Sequence, residues 1–181
     1  MLQITIPSTE LWDETKQEFI KIEKDYVLQL EHSLVSISKW ESKWNKVFLS
    51  KEEKTYEETI DYIKCMTITQ NIPDVVYRGI TPTNISQIDK YISAPMTATW
   101  FSKQKPTGVN REQTTSELIY YWMITLNIPF ECQKWHLNRL LTLIRVCNIK
   151  NTPPKKMSKR SLMQRNAALN AARRQQLNTT G

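Results

Sequence analysis

Cys132 and His136 stand four residues apart in ECQKWH, a spacing that brings two side chains to one face of a helix. A thiolate and an imidazole so placed are ligands for zinc or the two halves of a nucleophile pair. Zinc needs two further ligands, and the remaining candidates, Cys65, Cys147 and His32, form no second pair. A cysteine–histidine nucleophile needs a third group to orient the imidazole and an open approach for the substrate, and the sequence marks neither. Glu31 and His32 offer an acid–base couple, but neighbours on an extended chain point to opposite faces. With three glycines in 181 residues there is no glycine-rich cradle for a phosphate. No catalytic, cofactor-binding or metal-ligating residue is assigned, and the chain reads as non-enzymatic.

The remaining chemistry is charge. Of the 25 lysines and arginines, eight lie after Asn148, where there is no acid; the 17 before it face all 18 acids, so residues 1–148 carry a net charge of −1. The formal charge of +7 therefore belongs to the C-terminal segment. Lys155, Lys156, Lys159, Arg160, Arg165, Arg173 and Arg174 are its candidate partner-binding residues, with Lys150 just upstream. Such a segment attracts polyphosphates, but it contains no aromatic residue on which a base would stack, and no helix-turn-helix or zinc-finger pattern accompanies it. A tail that contacts protein is favoured over a nucleic-acid arm.

The elements that would carry these residues follow from periodicity. Leu2–Ile6, Phe19–Ile22 and Tyr26–Leu30 predict a small antiparallel sheet. Ser33 starts a helix to about Val47, with Trp40 and Trp44 on the face that closes the sheet; Ser50 and Glu53 have capping-box spacing before a second helix. Glu52, Glu53, Glu57 and Glu58 read as its solvated face. A helical turn is expected over Pro73–Ile80, a helix after Thr81-Pro82, an ambiguous apolar run over Met96–Phe101, and a loop over Ser102–Gln113. Thr114 and Glu117 cap a helix that is apolar nearly all round, which predicts burial or assembly. Pro129 opens a second helix with Leu137, Leu140, Leu141 and Ile144 in one stripe. After Pro153-Pro154, Leu162, Asn166, Leu169 and Arg173 share one face of a partly helical tail.

Together these predict an α+β fold, mainly α: residues 1–150 as one domain with a small N-terminal antiparallel sheet on a helical body, and 151–181 as a basic flexible tail. Hydrophobic content of 40% and charged content of 24% suit a globular chain. Three widely spaced cysteines without a CxxC pair suit a reducing compartment. No signal-peptide pattern opens the chain, and Asn127 and Pro129 interrupt the apolar run before it reaches membrane-spanning length, so a cytosolic protein is expected.

The phrases LQLEHSLVSISKWESKW and YYWMITLNIPFECQKWHLNRLLTLIRVCNIKN, with MLQITIP, LSKEEKT, PMTATWF and RNAALNAARRQQLNTTG, resemble the tail assembly chaperones of long-tailed bacteriophages and prophages. The likeness covers most of the chain and rests on whole phrases, with no mechanistic motif among them. It implies a non-enzymatic protein of the bacterial host cytoplasm that binds the phage tape measure protein, keeps its long helices soluble, helps recruit the tail tube protein and is absent from the finished virion. It also implies a frameshifted longer form in many members, and the helix that is apolar nearly all round suits a homo-oligomer or the reception of another helix. The family supplies no catalytic or ligand residues. A structural protein of the tail or neck and a basic-tailed nucleic-acid binder are the alternatives.

Overall fold

A computed structural model describes residues 1–13, 17–101, 113–153 and 158–179. It is α+β and mainly helical, with a small antiparallel β structure at the N-terminus. The chain divides into two compact units, Met1–Asn148 and Ile149–Gly181.

The first unit begins with β1 (Leu2–Ile6), β2 (Thr9–Asp13), β3 (Glu18–Ile22) and β4 (Tyr26–Leu30). β1 pairs with β4 and β2 with β3, both antiparallel. Ile6 lies opposite Tyr26 whereas Thr9 lies opposite Ile22, so residues 7–8 face one residue too many in 23–25. This interruption divides the four strands into two separate two-stranded sheets. Pro7, which donates no N–H, sits in it, and the Ser8 N–H is taken by Asp25 Oδ1 at 2.7 Å. The buried face carries Ile4, Ile6, Ile22, Leu28 and Leu30. β2 was not anticipated, because Glu10 and Asp13 disguise its alternation. Asp13 is nevertheless buried, and its carboxylate accepts from Arg78 Nη1 at 2.5 Å.

α1 (Leu34–Trp44) starts at Ser33, whose hydroxyl accepts from the Ser36 N–H, and stops at Asn45, which takes the left-handed conformation with φ of 52°. α2 (Tyr56–Met66) is capped by Thr55 and Glu58 in a capping box, five residues beyond the predicted Ser50–Glu53 start. The two tryptophans of α1 are tied to α2, a pairing the sequence did not announce. Trp40 Nε1 donates to the Glu58 carbonyl and Trp44 Nε1 to Asp61 Oδ2, each at 2.9 Å. Glu58 is also not a solvated acid: it is 2% exposed, and Lys46 Nζ donates to its Oε1 at 2.5 Å, which holds its carboxyl below the usual range. Residues 67–69 then line the outer edge of β4, with Ile68 N–H donating to the Gln29 carbonyl and Gln29 N–H to Thr69 Oγ1.

α3 (Asp74–Arg78) ends at Gly79, as expected, and the glycine is there for closeness. A Cβ on Gly79 would stand 2.8 Å from Ile22 Cδ1 and 2.9 Å from Ile6 Cγ2, so its absence lets the chain touch the ribbon. α4 (Pro82–Ser93) has Thr81 at its N-cap and proline in its first turn. Met96–Phe101 is neither a strand nor buried, and Trp100 is 82% exposed. Most of the predicted loop lies outside the described residues. α5 (Ser116–Thr125) is capped by Thr115, one residue after the predicted Thr114. Next comes a 3-10 helix (Phe130–Lys134), and only then α6 (Leu137–Asn151). The predicted stripe of α6 is buried at Leu137, Leu140 and Ile144 and half-buried at Leu141.

Glu41 of α1 joins several of these pieces. It is buried, and its two carboxylate oxygens accept the Phe48 and Ser116 N–H groups at 2.8 Å each. A carboxylate thereby meets the free N–H groups and positive end of α5 from a different helix.

Candidate partner-binding surface

The second unit contains α7 (Lys159–Leu177). Ser158 caps it by accepting the Ser161 N–H, and Asn178 closes it in the left-handed conformation. Four alanines supply helix propensity in between. A helix of this length spans roughly 28 Å. None of its residues is buried, and Leu162, Met163, Leu169 and Leu177 are all exposed. Of the candidate contact residues, Lys159, Arg160, Arg165, Arg173 and Arg174 ride on α7, and Lys150 lies in the last turn of α6. Lys155 and Lys156 lie outside the described residues.

At a rotation of about 100° per residue, Leu162, Leu169, Leu177 and Met163 fall within one sector about 120° wide. Lys159, Asn166, Asn170 and Arg173 share that sector, and Arg160, Arg165 and Arg174 are spread around the remainder. The face is therefore thin in apolar area, as the sequence implies, and too polar to bury itself without a complementary surface.

α5 is a second exposed feature. The prediction for a helix apolar all round was burial or assembly, and the structure divides it. Ser116, Ile119 and Met123 are buried, while Tyr121 and Ile124 are exposed on its outer side, with Phe130 exposed just beyond. Only Glu117 is charged between Thr114 and Phe130.

The Cys132–His136 pair is not on one helix. Cys132 belongs to the 3-10 helix, and the chain straightens at Trp135 before α6 begins. Burial pushes the Cys132 thiol up, away from thiolate character. His136 is buried and committed on both nitrogens: Nδ1 accepts the Asn138 N–H at 3.3 Å, so Nε2 carries the proton and donates to the Tyr91 carbonyl at 3.0 Å. His32, unnoticed as a structural residue in the sequence, lies beside it with ring centroids 5.1 Å apart, and its Nδ1 takes the Tyr62 hydroxyl at 2.5 Å. Burial first, and then the neighbouring imidazole, lower the pKa of His32 to about 4. Burial also lowers that of His136, against the pull of its bond to Tyr91. Glu31 faces elsewhere, accepting the Tyr91 hydroxyl at 2.6 Å. These groups hold two neutral rings between strand and helix. Among the described residues no group of three histidine, cysteine or acidic side chains is placed to hold a metal ion, and all three cysteines are free thiols. No described helix is long and apolar enough to cross a membrane.

The chain matches no family model, and no curated protein or solved structure shows significant similarity to it.

Proposed function

We propose that this protein is a bacteriophage tail assembly chaperone, a non-enzymatic binder of the tape measure protein that assists assembly of the tail tube. The phrase-level resemblance to that family motivates the reading, and the observation that carries it is α7. A 19-residue helix with no buried residue, four exposed large apolar side chains and only basic charge is organised for a partner. A monomeric function would leave that apolar surface without a use. The outer side of α5 offers a further apolar contact for self-association or for a second helix.

Co-expression with a tagged tape measure protein from the same tail-gene cluster tests the reading. Retention of this chain on the tape measure protein through affinity and size-exclusion steps is expected, as is its absence from purified particles. Recovery of the chain in mature virions would instead favour a structural tail or neck protein.

A further inference from the structure

The spacing of side chains along α7 says what kind of helix would fit it. Lys159, Leu162, Asn166, Leu169, Arg173 and Gln176 follow one another at intervals of 3, 4, 3, 4 and 3 residues, all within the helix. That is the seam of a two-stranded coiled coil, with Leu162, Leu169 and Gln176 in the d positions and Lys159, Asn166 and Arg173 in the a positions. Met163 and Leu177 occupy the flanking e positions and widen the apolar strip. An alternation of leucine with a cation or an amide along a seam encodes partner choice more than stability.

A second copy of the same helix fits poorly. In parallel register Lys159 would face Lys159 and Arg173 would face Arg173 across the seam. In antiparallel register Arg173 would lie against Leu162 without a carboxylate in reach, because residues 149–181 contain no acid. Duplex DNA would satisfy the cations but leave Leu162 and Leu169 without apolar contact.

We propose that α7 is one strand of a heterotypic coiled coil, whose other strand places apolar side chains against Leu162 and Leu169 and carboxylates against Lys159 and Arg173. Asn166 fixes the register through a polar partner in the middle layer. Three heptads are short for an isolated helix pair, so the complex forms through opposite charge and dissolves as salt rises. On the chaperone reading, from which alone the identity of the natural partner follows, that strand is an acidic-flanked helix of the tape measure protein.

Two synthetic three-heptad peptides with leucine at every d position, one with glutamate and one with lysine at every a position, serve as probes in fluorescence anisotropy with the full-length protein. The glutamate peptide is expected to bind about ten-fold tighter or more at low salt, since opposite and like charges face each other across the seam. Lys159→Glu with Arg173→Glu should reverse the preference. Leu162→Ser with Leu169→Ser should remove binding while leaving every charge in place, and circular dichroism shows whether each variant keeps the fold of the parent. An unreversed preference, or undiminished binding by the serine variant, would reduce α7 to a diffuse basic tail and overturn the proposal. So would tight duplex DNA binding that survives the serine changes. If the chain fails to retain the tape measure protein but the charge swap holds, the chaperone reading falls and the coiled coil stands. Retention without a charge swap removes only the coiled coil.

Discussion

Acidification from pH 7.5 to 5 should cost this fold about 2 kcal/mol through His32 alone, with about 3 kcal/mol lost by pH 4. The folded-state pKa of His32 lies near 4, against an ordinary value of 6.5. Above pH 6.5 the ring is neutral in both states and contributes nothing. As pH falls through 6.5 the unfolded chain takes up a proton that the folded chain, with His32 2% exposed beside His136, refuses. The loss through His32 therefore grows until the pH falls below about 4, where both states become protonated, and then levels off. His136, lowered in the same direction, adds to the loss. The carboxyl groups of Glu58 and Asp74 are themselves held below their usual range, so their contribution is lost only at still lower pH and leaves pH 5 to the histidines. Urea unfolding followed by circular dichroism at pH 7.5 and 5 measures the difference. His32→Asn keeps an acceptor for Tyr62 but cannot titrate, and should lose about 2 kcal/mol less than the parent over that interval. Equal losses in parent and variant would refute the assignment to His32.

Leu140→Ala should destabilise by about 2–5 kcal/mol, because the side chain is fully buried on the α6 stripe; an unchanged melting temperature would count against that packing. Glu41→Ala leaves the Phe48 and Ser116 N–H groups without their carboxylate and should cost about 3 kcal/mol in thermal unfolding, against which Glu41→Gln should recover part. Gly79→Ala should destabilise, since its methyl group would meet Ile22 and Ile6 inside ordinary contact distance, and the same assay reads the loss.

Most element positions were legible because periodicity and caps are local. Thr81-Pro82 opens α4, Gly79 ends α3, and the stripe of α6 points inward as its spacing requires. The failures are long-range. Capping-box spacing at Ser50 and Glu53 is as good as that at Thr55 and Glu58, and the choice falls to Glu58 because its carboxylate also receives Lys46 while its carbonyl receives Trp40. The same tertiary pairing ties the two tryptophans to α2. β2 escaped notice because its buried inward-facing residue, Asp13, is an acid whose carboxylate is paired with Arg78, 65 residues away. Cys132 and His136 looked like a helical pair because sequence spacing does not announce a 3-10 turn followed by a break at Trp135. His32 gave no local signal, since its burial depends on Tyr62 and His136 arriving from two other elements. Of the candidate surface, the charge and the shared face of Leu162, Asn166, Leu169 and Arg173 were readable, because an exposed helix has little tertiary context to override them, whereas Met163 and Leu177 were not singled out.

The most direct measurement is the soluble fraction of the tape measure protein when it is co-expressed with this chain, intact or lacking residues 152–181. The intact chain is expected to keep the tape measure protein in the supernatant. The shortened chain should fold with an unchanged melting temperature, since α7 contributes no buried side chain, yet leave the tape measure protein in the pellet. Full solubilisation by the shortened chain, with tight and salt-sensitive DNA binding by the intact one, would contradict the account.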